Sequence, residues 1–429
     1  MLTVERQIAE RARKYKGETL QSLYSFIDAT MLWDSYKRLN KQSAKGIDGK
    51  TWQQYGSEFP ERRHSLLEEF KSGRYKAPAV RRVYIPKDKH SQRPIDIATI
   101  EDKVLQASVR RVIEPVYEEG FKPFSYGFRP GRSQHQAIDY LFKEVSFGKK
   151  HYIIDADIKN YFGTINHGIL REFLDKRIKD GVIRRMIDKW LKAGGMESGN
   201  ISYPEFGTPQ GSVISPILSN IYLHYVLDEW FSEQIQPLLK GKSFIVRYAD
   251  DCVLGFTDKS DAERVMAVLP KRFAKYGLTL HPEKTKLIDL NDKRGGNDRS
   301  FDFLGFTHFL SRSLKEYMVL KRKTSSKRLT RAISNVSNYM QSNRHMKLKD
   351  LIAALNVKLR GHYNYYGVTF NTRSINGFYE AVKRRLFKWL NRRGGKVKLN
   401  WDRFSSLVET WHPLLKPSIR HSFNSLKRT

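Results

Sequence analysis

Cysteine is nearly absent. Cys252 is the single one in 429 residues, which excludes an internal disulfide and any zinc site built from several thiolates. Acid is scarce as well: 45 Asp and Glu face 78 Lys and Arg, a formal net charge of +33. No apolar run approaches the roughly 18 residues of a membrane-spanning helix. The stretch from Met1 to Gly17 alternates charge with apolar side chains and lacks the apolar core of a secretory signal. Internal repeats and low-complexity tracts are missing too. These absences lead us to expect a soluble chain in the cytoplasm, without a membrane partner. Hydrophobic residues at 40% and aromatics at 12% exclude a mostly disordered chain. At about 100–200 residues per domain, two or three domains are expected.

The positive charge is unevenly spread. From Ser311 to Thr429 there are 27 Lys and Arg against 5 Asp and Glu, a net +22 that leaves +11 for the first 310 residues. Such a surface repels itself unless a polyanion accompanies it, and phosphate neutralisation with counterion release makes nucleic acid the expected partner.

Residues 1–75 read as a mostly helical and charged N-terminal extension, with a turn at Lys45–Gly49. Val80–Ile85 alternates as a strand does and stops at Pro86. Residues 100–120 return to helix, and 121–133 are rich in turn formers. His151–Ile158 is strand-like, and Asn166 is placed to cap the following helix. Ser243–Phe256 reads as two short strands around a tight acidic turn. A capping box at Ser260–Glu263 should open a helix that Pro270 kinks or shortens and Gly277 stops. Beyond residue 310 the pattern is helical and basic, with apolar stripes at Leu348, Leu351, Ile352, Leu355 and Leu359 and at Ile375, Phe378, Val382, Leu386 and Leu390. The stripes read as core. The cations beside the second one (Lys383, Arg384, Lys388, Arg392 and Arg393) are expected to meet phosphate.

In so basic a chain, concentrated acid needs a reason. Asp250 and Asp251 stand between apolar runs, and Asp155 and Asp157 share one face of another strand because the strand period is two. Carboxylates crowded in a low-dielectric centre repel unless a cation joins them. Oxygen donors suit hard divalent cations, and no His or Cys cluster points to zinc or iron. Two magnesium ions there, with manganese as a substitute, would serve an in-line displacement at phosphorus.

The order of motifs carries further. Ile85-Pro86-Lys87 with Arg93 comes first, then Asp157–Phe162 and Gly207–Pro216 around Gln210-Gly211. Tyr248-Ala249-Asp250-Asp251, Lys284 and Phe303–Phe306 follow. This succession resembles that of reverse transcriptases. Residues 30–310 closely resemble the group II intron reverse transcriptases, and Leu359–Tyr366 resembles their maturase-specific thumb. The resemblance implies an α/β right-hand polymerase, with fingers and an antiparallel palm sheet over 76–310 and an all-helical thumb over 311–395. A short basic tail over 396–429 would complete it. It implies Asp157, Asp250 and Asp251 as metal ligands and catalytic carboxylates, with the Ile158 carbonyl completing the metal site. Lys87 and Arg93 would hold the incoming triphosphate, and Gln210 and Gly211 would lie at the templating pair. Lys284 is the implied general acid, with Lys286 second. Phe162 would exclude a 2′-hydroxyl, and Phe303, Leu304 and Gly305 would touch the primer end.

Several residues stay open. Asp155 reads as a capped or solvated neighbour of the ligands, and Phe162 equally as core. Arg129 is either a template-phosphate contact or half of a structural ion pair, and Tyr248 either packs under the primer or closes the hairpin. Cys252 reads as a small packing residue. The chain departs from the family at Lys159-Asn160, Gly163, Ser212 and Asp96–Asp102. None of these touches the metal carboxylates. The stretch after the thumb is too short for an endonuclease domain. The expected activity is RNA-directed DNA synthesis from deoxynucleotides on a structured RNA, giving a DNA product. An intron RNA and a role in its splicing come first; a domesticated enzyme copying a dedicated noncoding RNA in antiphage defence is the alternative.

Overall fold

Local sequence decides the elements. A side-chain oxygen at Asp28, Thr51, Thr99, Ser133, Asn166, Asp180 and Asp258 accepts a backbone N–H of the turn that follows, and at each of these residues a helix begins. In the computed structural model, which describes residues 3–86, 91–197, 200–202, 205–291, 299–313, 316–393 and 399–423, the first half holds helices α1 (Val4–Lys14), α2 (Ala29–Arg38), α3 (Trp52–Ser72), α4 (Ile100–Glu118), α5 (Gln134–Ser146), α6 (Tyr161–Thr164), α7 (His167–Asp175) and α8 (Gly181–Lys192). Helix α9 (Ser215–Leu223) continues in wider, π-type turns to Ile235. Then come α10 (Lys259–Lys275), α11 (Ser326–Ser342), α12 (Leu348–Tyr366), α13 (Thr372–Leu390) and α14 (Trp401–Ser406).

Three sheets accompany them. In the first, β1 (Val80–Pro86) lies between β2 (Gln92–Ile97) and β4 (Gly195–Glu197), and β5 (Asn200–Ser202) pairs with β4. The second runs in the order β6 (Ser243–Tyr248), β7 (Asp251–Phe256), β3 (Tyr152–Ala156), β8 (Lys286–Asp289), all antiparallel. The third stacks β9 (Ser300–Phe303), β10 (Phe306–Arg312) and β11 (Met318–Thr324). One apolar core joins α1–α4 and α7–α9 to one face of the second sheet, and a smaller one fills its other face against α5 and the third sheet. Helices α11–α14 enclose a core of their own, built on both predicted stripes. An α/β region with mostly antiparallel sheets followed by a helical C-terminal region is the arrangement that the resemblance implied.

Some local expectations are corrected. Asp258, not Ser260, caps α10, and α10 runs through Pro270, which sits on its exposed face where water can serve the freed carbonyl. Gly277, at φ +70°, ends it as expected. The helical pattern does not start at residue 310: β11 intervenes, its alternation masked by Lys321, Arg322 and Lys323. Lys383 is buried and bonded to Glu409 at 2.7 Å, so of the cations beside that stripe Arg384, Lys388 and Arg392 are the exposed ones. After α14 the chain turns back as a strap. His421 pairs with Gly367 and Thr369 and stacks on His135 of α5 with ring centroids 3.7 Å apart, while Phe423 covers the buried Arg322 guanidinium at 4.4 Å.

Candidate active site

The second sheet brings the acidic residues together. β3 and β7 pair antiparallel with Ala156 opposite Cys252, so Asp157 and Asp251 leave the same end of neighbouring strands. Tyr248 and Asp251 close the β6–β7 hairpin, with Ala249 and Asp250 as its two central residues. Ala249 has φ +59°, a conformation that an L-residue keeps only when its surroundings hold it.

Those surroundings are specific. Arg247, fully buried, donates to both carboxylate oxygens of the equally buried Asp228 at 2.8 and 2.6 Å. The same guanidinium donates to the Asn220 side chain at 3.0 Å and to the Ala249 carbonyl at 2.9 Å. Asn220 in turn donates to the Gly127 carbonyl at 2.8 Å. Gly127 lies so close that a Cβ there would stand 2.2 Å from the Ala249 nitrogen, so the backbone approach requires glycine. The turn is thus clamped by a buried ion pair below and a glycine beside it. Asp228 stands on the π-type turns that extend α9, a distortion often found at functional sites.

Charge is tuned by this crowding. Burial raises Asp250 above the usual carboxylate range, and Asp157 adds to the rise while Arg93 and Arg247 oppose it. Asp251 is exposed at the end of β7 yet has protein close about it; desolvation, then Asp250 and Asp157, push it up to about 6. Asp155, a turn of the strand deeper, is pushed to about 7 by burial and by Asp251 and Asp157. It is a half-buried neighbour of the acids. Asp157 accepts from Lys284 at 2.7 Å, and the Asp157 carbonyl accepts from the His281 amide at 2.7 Å. The Ile158–Leu280 bridge leaves the Ile158 carbonyl outside that pairing.

Among the described residues no three His, Cys, Asp or Glu side chains form a ready-made metal cage. The donor chemistry nonetheless fits a hard divalent cation: two or three carboxylates and a carbonyl, all oxygen, crowded so that a cation relieves their repulsion. Lys284 supplies part of that relief in this structure.

The other expected residues fall on both sides. Phe162 and Gln210 line one cavity of about 270 Å³ with Arg82, Asp96 and Thr208. Gln210 is tied to β2 by mutual bonds with Asp96, and the Asp96 amide reaches the Gln210 carbonyl at 2.6 Å. Gly211 has φ +108° and would press a Cβ to 3.1 Å from the Asp96 carbonyl. Arg93 is exposed on β2 and its charge reaches Asp250. Tyr248 is half-buried at the hairpin end. Lys87 lies outside the described residues.

Arg129 is buried and bonds Glu118 and the Lys122 and Ser125 carbonyls, so the ion-pair reading replaces the template contact. Phe303 is core, and what the thumb meets is the Leu304-Gly305 turn, where Tyr365 donates to the Leu304 carbonyl at 2.9 Å. Arg328 of α11, which the sequence reading did not single out, acts on Asp251. Neither did it single out Arg247 and Asp228; each is a charge set inside an apolar run, and that was the available signal.

Comparison with known proteins agrees with this architecture. Residues 85–308 match the family described as reverse transcriptase (RNA-dependent DNA polymerase), and residues 326–405 match the group II intron maturase-specific domain. Protein YkfC of Escherichia coli is 32% identical over 308 residues, 63% of this chain and 77% of that protein. The group II intron-encoded protein LtrA of Lactococcus lactis is 34% identical over 226 residues, 51% of this chain and 37% of that protein. The putative COX1/OXI3 intron 1 protein of Saccharomyces cerevisiae is 26% identical over 382 residues, 77% of this chain and 45% of that protein. The matches thus span under half of the two intron proteins. Reverse transcriptases use divalent metal ions, and no helix among the described residues is long and apolar enough to cross a membrane. The chain belongs to the reverse transcriptase family, the RNA-dependent DNA polymerases, in its group II intron form with a maturase-specific domain.

Proposed function

We propose that this protein binds a structured group II intron RNA, assists its splicing, and copies RNA into DNA from deoxynucleotides at the end of the second sheet. The observation that carries the reading is the convergence of Asp157, Asp250 and Asp251 there. A pair of magnesium ions bound to these oxygens, or manganese in their place, would supply charge neutralisation at the attacking 3′-oxygen and the departing pyrophosphate.

The chain's own residues do the rest. Arg93, and Lys87 six residues before it, bind the triphosphate: the guanidinium fits a pair of oxygens and the ammonium acts as a point charge. The Phe162 ring closes the floor of the cavity against a 2′-hydroxyl, while Gln210 and Gly211 seat the templating pair. Lys284, within reach of Asp157, holds the proton that the pyrophosphate takes on leaving. The exposed cations of α13 track phosphate, giving affinity for RNA shape without sequence. Intron proteins among the relatives support an intron RNA over a dedicated noncoding RNA.

Primer extension on an RNA template with magnesium tests this. Product is expected from the native chain, and Asp250→Ala with Asp251→Ala should abolish it while RNA binding persists. Equal extension by that double variant would overturn the site assignment. Sequencing the RNA that copurifies identifies the partner.

A further inference from the structure

The loop Gly207–Val213 carries Gln210 and Gly211 between the Phe162 carbonyl and β2, and its far end is held by a buried relay. Gln106 of α4 is almost fully buried. Its carboxamide oxygen accepts from the Ser212 hydroxyl at 2.6 Å and from the Val213 amide at 2.9 Å. Its NH₂ group donates to Asp102 at 2.8 Å. The other Asp102 oxygen accepts from the Trp190 indole at 2.7 Å and from the Tyr75 hydroxyl at 3.3 Å. Asp102 itself is 1% exposed, so no water competes for these bonds.

The polarity of this chain is what matters. A carboxylate only accepts, so it forces the Gln106 NH₂ group toward itself and the Gln106 oxygen toward the loop. Ser212 contributes a bond of its own, and it stands where the resembled family commonly has glycine, which has no hydroxyl to donate.

We propose that Asp102 and Gln106 are positioning residues that fix the register of the Gln210–Val213 loop, and through it the grip on the nucleotide at the templating pair. The inference rests on the polymerase reading for its kinetic consequence, though not for its structural one. Asp102→Asn lets the amide there present NH₂ to Gln106. Gln106 then turns its own NH₂ toward the Val213 amide, and donor faces donor. Gln106→Glu sets two carboxylates against each other. Combining Asp102→Asn with Gln106→Glu restores the pattern at unchanged net charge. The amide introduced on the first side chain would donate to the carboxylate introduced on the second, and that carboxylate would accept from Ser212 and Val213.

The test measures amide hydrogen exchange across residues 207–213, and the KM for deoxynucleotide in primer extension with the active fraction titrated. For each single variant, exchange at Ser212 and Val213 should quicken and KM should rise, each about tenfold for a lost loop bond. The double variant should return both to within about threefold of the native protein. A role confined to stability would lower the active fraction and leave KM alone. Unchanged exchange in a folded single variant overturns the proposal, as does a double variant no better than the singles. If neither single variant folds, Ser212→Ala decides: faster exchange at Val213 supports the relay and native exchange refutes it. Absence of extension by the native chain would sink the polymerase reading, and the exchange measurement would still judge the relay.

Discussion

Removing Asp228 should separate the stability of the acidic hairpin from its activity. In Asp228→Ala the Arg247 guanidinium stays at zero exposure with two of its four described bonds gone and no counter-charge. Breaking a buried pair in this way costs about 3–5 kcal/mol. Against a domain stability of about 5–15 kcal/mol, that is about a fifth or more of the total. Replacing both partners, as Arg247→Met with Asp228→Leu, removes the charge altogether and should leave stability within about 2 kcal/mol of native. It also removes the donor that holds the Ala249 carbonyl, and with it the restraint on a left-handed alanine that costs about 1–3 kcal/mol to maintain. The turn then relaxes and carries Asp250 with it. A displacement near 1 Å at reacting groups costs about 10²-fold in rate. Urea denaturation gives the first quantity, and primer extension per titrated active site gives the second. Native-like stability of Asp228→Ala, or a native rate in the paired replacement, would refute the reasoning.

Three further outcomes follow from the same structure. Phe162→Ala opens the cavity it shares with Gln210 and Thr208, so ribonucleotide incorporation should rise at least about tenfold relative to deoxynucleotide, a loss of roughly 1.4 kcal/mol of discrimination; an unchanged ratio would make Phe162 a packing residue. Arg129→Ala should destabilise the fold by about 1–3 kcal/mol, because the Lys122 and Ser125 carbonyls lose their donor while the partly exposed Glu118 returns to water, yet leave the salt dependence of RNA binding unaltered; a shallower salt slope would restore it to the template-contact role. Asp102 is held near 6 by burial, above its ordinary 3.8. The folded state therefore keeps its proton longer than the unfolded state, and stability present below pH 4 is lost as pH rises through 6, on the order of 3 kcal/mol. The stability gap between the native protein and the non-titrating Asp102→Asn, followed from pH 4 to 7, should shrink by that amount; a flat gap would refute the assignment.

What the sequence disclosed was local or periodic. The acidic hairpin showed as a polar pair between apolar strands, the Asn166 cap as one residue before a stripe, and the thumb core as two stripes of period 3.6. What stayed hidden needed partners far along the chain. Arg247 and Asp228 are 19 residues apart, and Gln106 and Val213 are 107 apart; neither pairing leaves a periodic trace. Strand β11 was obscured because three consecutive cations look like solvated surface, though Arg322 is buried between Phe142 and Phe423. Arg129 is ambiguous for the same reason: a cation in a turn reads alike whether its partner is an RNA phosphate or a carboxylate at the end of the preceding helix.

The returning strap bears on movement. The polypeptide enters the α11–α14 core after β11, and its returning strap reaches back to α5 and β11 at His421 and Phe423, adding to the bonds that Tyr365 makes with His135 and Leu304. Displacing α12 from α5 must therefore break both the His135–Tyr365 bond and the stacked histidines, so the strap doubles what holds these two helices together.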